Sequence, residues 1–260
     1  MNIVVCVKYV PDAQADRRFD ETTLTTDRVN VEGLLSELDE YAVEEALKLV
    51  EANEGEVTVV TIGPDDAANA LKKALQMGAD KAVHICDDAI LGTDSLGTSL
   101  LLAAAVNKIG TPDLVLTGMA STDGTMSVVP AMLAERLGLP QVTFASELTI
   151  AGTTVTMRRD GDAASETVVA TMPALVSVTD QINEPRYPSF KGIMAAKKKP
   201  VETWSLADLG IDPANVGTAG AYTTVLSATK RPPREQGQIV TDEGDGGTKL
   251  AEFLSARKFI

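Results

Sequence analysis

Short apolar runs alternate with amphipathic stretches through the first half of the chain, and this alternation limits the fold more than any other feature. Residues 2–8 carry the unbroken run I-V-V-C-V. It is too short for a helix and has the composition of a strand buried on both faces, the kind found inside parallel sheets. Residues 56–62, 81–86 and 113–117 repeat the pattern. Between them, 38–50 has helical spacing, with Glu37, Asp39, Glu40, Glu44 and Glu45 early and Lys48 late, in the sense that suits the helix dipole. Residues 65–77 place Ala67, Ala70, Leu71, Ala74 and Leu75 on one stripe with Gly78 as the stop, and 95–109 form a third helix. This rhythm predicts an α/β fold built on a doubly wound, mostly parallel sheet.

Elsewhere the pattern differs. Residues 19–31 predict a short hairpin or an irregular excursion. After Pro140 the segments 141–146, 148–150, 153–159 and 166–171 alternate as antiparallel strands do, and 172–178 returns as a buried strand. Beyond Pro200 come one helical turn at 204–209, a strand candidate at 222–226, a polar stretch at 230–246 and a closing helix at 250–259. This tail has too little apolar content for a core of its own. It is either a loosely packed arm or is covered by another chain. The expected division is therefore 1–199, an α/β domain, and 200–260, an extended C-terminal arm packing on a partner.

Composition narrows the function. Of 260 residues, 44% are hydrophobic, mean hydropathy is +0.04, and net charge is −14. That balance makes nucleic acid an improbable partner, because phosphate neutralisation needs extended basic clusters. No run approaches the roughly 20 apolar residues that cross a bilayer, and the N-terminus does not read as a signal peptide. Cys6 and Cys86 sit in strand-like runs, which fits a reducing compartment and a cytoplasmic protein. His84, the only histidine, also lies in a strand run and reads as structural. Without a second histidine, a G-x-S-x-G elbow, a C-x-x-C pair or an acidic Ca²⁺ loop, neither a catalytic constellation nor a metal site is expected.

Ligands of a doubly wound sheet bind outside the carboxyl ends of its strands, at a switch in strand order. The turn Ser121-Thr122-Asp123-Gly124-Thr125 follows one such end and leads into a helix expected at 126–137, capped by Gly138. Free backbone N–H groups there, with hydroxyls from Thr125 and Ser127, could hold an anion; the same residues could also be a capped loop that binds nothing. The segment has no Lys or Arg before Arg136 and no G-K-[ST], so a bound, non-reacting phosphate fits better than a triphosphate with Mg²⁺. Against the acidic chain, 183–199 (N-E-P-R-Y-P-S-F-K-G-I-M-A-A-K-K-K) carries five cations after Glu184, with an aromatic among them. Such a loop reads as a contact surface. Its alternative is a solvated loop with its apolar residues tucked under. The run Lys197–Lys199 reads as a helix end.

The chain resembles the electron transfer flavoprotein β (small) subunit along nearly its whole length. The resemblance is carried by V-C-V-K-Y-V-P-D, E-L-D-E-Y-A-V-E-E-A, A-L-Q-M-G-A-D-K-A-V-H, the 118–138 segment and, most specifically, the 183–199 loop. It implies a Rossmann-like, adenine-nucleotide-binding type of fold and a non-enzymatic electron carrier that works as a heterodimer with an α subunit. It further implies flavin dehydrogenases, such as acyl-CoA dehydrogenases, as donors and a membrane quinone oxidoreductase as acceptor. FAD is implied to be held mainly by the α subunit, with AMP, or a second FAD, in this chain. The implied nucleotide site comprises Cys6, Ser36, Asp39, Ile62, Gly118, Ser121, Asp123, Gly124, Thr125, Met126, Ser127, Val128 and Val129. Many relatives have Asn-Gln-Thr where this chain has Ser127-Val128-Val129, and Asn is common where Ser36 stands. The 183–199 loop is implied to be the recognition loop, docking the dehydrogenase through Arg186, Tyr187, Phe190, Lys191, Ile193 and Met194, with Phe190 as the anchor. The competing reading of the same sheet and site is a stand-alone adenine-nucleotide sensor of the universal-stress-protein type.

Overall fold

The computed structural model describes residues 1–15, 18–28, 30–234 and 236–260. The chain divides into Met1–Leu226 and Ser227–Ile260. In the first unit the strands are β1 (Asn2–Cys6), β2 (Tyr9–Pro11), β3 (Gly33–Leu35), β4 (Glu56–Ile62), β5 (Lys81–Ile85), β6 (Leu114–Gly118), β7 (Gln141–Ala151), β8 (Thr154–Asp160), β9 (Ser165–Thr171), β10 (Ala174–Val178) and β11 (Val201–Trp204). Its helices are α1 (Glu37–Asn53), α2 (Ala68–Met77), α3 (Ser95–Ile109), α4 (Val129–Leu137), α5 (Phe190–Ala196) and the short α6 (Gly217–Gly220).

Among the described residues one large sheet runs β11-β5-β4-β1-β6-β10-β7-β8-β9, and β2 and β3 form a separate antiparallel pair. Pairing is parallel from β11 through β7 and antiparallel only at β7–β8 and β8–β9. The doubly wound α/β sheet with a small antiparallel section is therefore present. Alternation sorts the strand side chains between two faces. Ile3 and Val5 pack with Val43, Leu47, Leu71 and Leu75 of α1 and α2. Val4 and Cys6 pack with Leu101, Val106 and Leu133 of α3 and α4. Both faces are covered, which is why the central strands are apolar without interruption.

Several local expectations are revised. The expected strands 141–146 and 148–150 form one strand, β7, with a bulge between Ala145 and Glu147. Trp204 closes a strand, β11, rather than opening a helical turn, because 201–204 adds to the edge of β5 and buries the indole with Leu206. Residues 200–226, read as the start of the arm, thus lie in the first unit. Residues 222–226 are irregular; the Tyr222 and Thr223 amides donate to Asp94 instead of to a strand. The excursion at 19–31 closes through an antiparallel bridge between Phe19 and Thr26, and Val29 within it lies outside the described residues. Cys86 falls one residue beyond β5 and is half-buried. His84 is buried, with its Nε2 2.9 Å from the accepting Gly63 carbonyl. The second unit holds α7 (Gly246–Ala256), none of whose described residues is buried, and Leu250 and Phe253 are exposed. Among the described residues no helix is long and apolar enough to cross a membrane.

The 183–199 segment is tied to α1 and α2. Arg186 donates to Glu44 (Nε–Oε2 2.7 Å) and to Glu51, and its own backbone amide also bonds Glu44. Asn183 Nδ2 donates to the Tyr41 carbonyl and to Glu45. Lys199 Nζ donates to the carbonyls of Leu75, Gly78 and Ala79, capping the end of α2 with a positive charge. Lys199 therefore has a specific role that a lysine run does not reveal. Arg186→Ala would strand the buried Glu44 carboxylate (side chain 7% exposed), and is expected to cost about 2–3 kcal/mol in urea unfolding. Lys81→Ala, which breaks the half-exposed Lys81–Glu56 pair, should leave the unfolding midpoint almost unchanged.

Candidate functional site

The order of strands reverses at β1. From β1 the chain goes to β4 and β5 on one side, then returns to β6 on the other. The crevice at the carboxyl ends of β1 and β6 is the switch point where such sheets bind ligands. Cys6 and Thr117 are register partners there, so their side chains emerge on the same face. Ile62 ends the neighbouring β4, and Thr61 Oγ1 donates to the Val7 carbonyl at the same level.

The first turn of α1 is fastened across these ends. The Ser36 amide donates to the Lys8 carbonyl (2.9 Å), and the Lys8 amide donates to Asp39 Oδ2 (2.8 Å). Asp39 also accepts from the Gly118 amide, and a Cβ at Gly118 would stand 2.6 Å from Asp39 Oδ1 and 2.8 Å from the Leu38 carbonyl. Only glycine admits this approach. Burial raises the Asp39 carboxyl to about 7, and its backbone donors only partly oppose that. Burial, with the Asp39 charge beside it, also raises the Cys6 thiol to about 12, which makes Cys6 a packing residue rather than a nucleophile.

The turn after β6 is held by two cations. The Asp123 side chain is enclosed and accepts from Lys8 Nζ (2.8 Å) and from Arg28 Nε (3.0 Å), while Lys8 Nζ also reaches Ser121 Oγ at 3.4 Å. Burial acts to raise the Asp123 carboxyl, but the charges and hydrogen bonds of Lys8 and Arg28 outweigh it and hold it well below the ordinary carboxylate range. Gly124 N–H donates to Ser121 Oγ, and Thr125 N–H to the Ser121 carbonyl. Thr125 (φ 50) and Ser127 (φ 56) are left-handed, a conformation that costs non-glycine residues roughly 1 kcal/mol or more and clusters at functional sites. The left-handed Ser127 breaks the helical path, so α4 begins at Val129, with Pro130 in its first turn, and not at Met126 as the period predicts. The turn therefore reaches the helix through three further residues, and Met126 is exposed.

Cys6, Ser36, Asp39, Ile62, Gly118, Ser121, Asp123 and Gly124 thus come together at one end of the sheet, while Thr125, Met126, Ser127, Val128 and Val129 lead from the turn into α4. Sequence reasoning missed Lys8 and Arg28, whose separation from the turn in sequence hides their contact. It also missed Thr117. Among the described residues the hydroxyls of Ser36 and Thr117 are buried without a hydrogen-bond partner, and Ser36 occupies the cap position of α1 without using its side chain to cap it. Buried hydroxyls are normally paired, so two orphans at one strand end fit a polar ligand. At the opposite, amino ends of the strands a cavity of about 500 Å³ has its charged groups partnered: Lys81 pairs with Glu56, Lys108 lies over the Trp204 ring, and Glu202 accepts from Trp204 Nε1.

On the 183–199 loop, Ser189 Oγ accepts the Gly192 amide and starts α5. Tyr187 and Phe190 are 92% and 80% exposed, with Lys191, Ile193 and Met194 exposed beside them. The apolar residues do not tuck under. Arg186, grouped from sequence with these residues, holds the loop to α1 through Glu44 and Glu51.

Comparison with known proteins places these features in context. Residues 23–209 match the family model described as the electron transfer flavoprotein domain. The chain is similar to the electron transfer flavoprotein subunit beta of Mycobacterium tuberculosis (strain ATCC 25618 / H37Rv), 47% identical over 100% of this chain and 99% of the relative. It is 46% identical to the protein of the same name from Mycobacterium leprae, over the same shares. The caffeyl-CoA reductase-Etf complex subunit CarD of Acetobacterium woodii is 35% identical over 93% of this chain and 92% of that protein.

The two unusual carboxyls bias stability in opposite directions. Asp39 is raised from 3.8 to about 7, so between about pH 4 and 7 the folded chain keeps a proton that the unfolded chain has lost, and stability falls as pH rises through that window. Asp123, depressed from 3.8, contributes stability that is fully present above about pH 4 and is lost as pH falls through its folded value. Urea midpoints of the nucleotide-free chain against pH should show both slopes. Asp39→Asn is expected to remove the first and Asp123→Asn to flatten the second.

Proposed function

Because the chain belongs to the electron transfer flavoprotein family as one of its β subunits, we propose that it works in a heterodimer with an α subunit that holds the redox FAD. In that assembly its strand-end site takes an adenine nucleotide, AMP or a second FAD, as a fixed ligand. The observation that carries the nucleotide reading is the pair of orphan hydroxyls, Ser36 and Thr117, at the switch point beside the left-handed turn. Backbone donors of the turn fit a phosphate, and the hydroxyls fit the polar groups of the nucleoside. The fit does not need the Asn-Gln-Thr side chains that this chain lacks at Ser127, Val128 and Val129. Redox chemistry in the heterodimer is supplied by the flavin; the residues of this chain bind, orient and shield.

The same reading assigns the 183–199 loop to docking a flavin dehydrogenase. Phe190 is presented on α5, with Tyr187 and Met194 around it and Lys191 as the flanking cation. A large aromatic at the centre of an exposed apolar cluster is the usual form of an interface anchor. Glu44, Glu45 and the α2 carbonyls hold the base of the loop, so little ordering entropy is lost when a partner binds. The electrons then pass to a membrane quinone oxidoreductase. The exposed apolar residues of α7 suit cover by the α subunit.

Co-expression with the α subunit is expected to give a heterodimer with flavin absorbance, from which acid extraction releases AMP or a second FAD. A colourless homodimer that binds ATP reversibly would overturn this reading. Phe190→Ala should slow electron transfer from a partner dehydrogenase about tenfold or more while leaving heterodimer assembly intact. Loss of assembly with undiminished transfer per heterodimer would reverse the assignment.

A further inference from the structure

The turn at 121–125 has a charge problem that its own segment does not solve. Between Gly118 and Arg136 it contains no cation, and Asp123 stands in its middle. Arg136 gives no help, because its Nε donates to Ser99 Oγ (2.8 Å) and its terminal nitrogen to the Leu96 carbonyl. A phosphate approaching the turn would meet a carboxylate on a chain of net charge −14. The fold answers with two cations from distant parts of the sequence, Lys8 from just beyond β1 and Arg28 from the 18–28 excursion, both on Asp123. Two positive charges on one carboxylate leave a surplus of one. The Lys8 and Arg28 side chains are still 39% and 33% exposed, so they are not consumed by the ion pair. Asp39, the other acid close to Lys8, accepts from the Lys8 and Gly118 amides, and its burial disfavours its charge, so it offsets only part of that surplus.

We propose that Lys8 and Arg28, held in place by Asp123, supply the positive charge that binds the 5′-phosphate of the nucleotide at this turn, the group that AMP and FAD share. The inference rests on the reading that the strand-end site takes an adenine nucleotide, and adds which residues make the site select a phosphorylated ligand over the bare nucleoside. Arg28 offers directed N–H donors and Lys8 a compact charge. Asp123 is then a positioning residue, which sets both cations at the turn and acts on the ligand only through them. Because the pairing is electrostatic and partly exposed, it weakens as salt rises.

The test uses the heterodimer stripped of nucleotide, titrated by calorimetry with AMP, adenosine and FAD at two salt concentrations. The unaltered protein should prefer AMP to adenosine, and should lose part of that preference at high salt. Lys8→Gln and Arg28→Gln are each expected to weaken AMP and FAD about tenfold, leave adenosine unchanged and flatten the salt dependence; Arg28→Lys should recover part of the loss. Variants that bind AMP as tightly as the unaltered protein would overturn the proposal. Variants that lose AMP and adenosine together would also overturn it, because the two cations would then only be holding the turn in shape. An unaltered heterodimer that binds neither AMP nor FAD would instead overturn the nucleotide reading itself, and this proposal with it.

Discussion

The Asp39 carboxylate is the interaction on which the strand-end site depends. It accepts from the backbone amides of Lys8 and Gly118, the residues just past β1 and at the end of β6. A buried carboxylate costs free energy unless its acceptors are filled, and here two main-chain donors offset part of that cost. The result is a staple between the two strands that flank the reversal of strand order, made by the helix that packs across them. Gly118 is the matching concession on the other side, since any side chain there would collide with the staple. The orientation of α1, the depth of the crevice and the departure of the 119–128 segment all start from this contact.

The same helix serves the other end of the molecule's chemistry. α1 looks like a solvated acidic helix, with acids gathered at its start in the sense that suits the dipole. In the fold, Asp39, Glu44 and Glu45 are buried, and each has a defined partner: the strand ends for Asp39, Arg186 for Glu44, and Asn183 and Lys48 for Glu45. One helix, with these acids spread around it, therefore holds both the strand-end site and the base of the exposed loop in register with the sheet. α2 adds a second support, because its last carbonyls accept Lys199 and its Gln76 carbonyl leaves no room for a side chain at Gly192 of α5. An exposed aromatic pair on such a base is presented rather than left mobile.

The alternation of apolar runs with amphipathic stretches gave the parallel sheet and the order of its helices. It did so because strand burial on two faces and helix burial on one leave different periods in the chain. Ser95–Ile109 keeps its expected bounds, and the structure shows why: the Asp94 side chain caps its start and Gly110 follows its end. The start of α4 was misplaced because the left-handed backbone at Ser127 is not written in residue type; serine rarely takes it, and the surrounding structure imposes it. The β11 strand was missed for a similar reason: four residues, V-E-T-W, become a strand only when the edge of β5 is there to pair with.

By itself, then, the sequence determined the fold class, the family and the exposed loop, all of which depend on local pattern or on contiguous motifs. The tertiary structure decided which charges are free and which are held. Arg186 and Lys199 read as surface cations until α1 and α2 supply their acceptors, and Lys8 and Arg28 become a pair only where β1 and the 18–28 excursion meet at Asp123. Charge pairing is set by distances of a few ångströms between residues up to 142 positions apart, and no period or motif records such contacts.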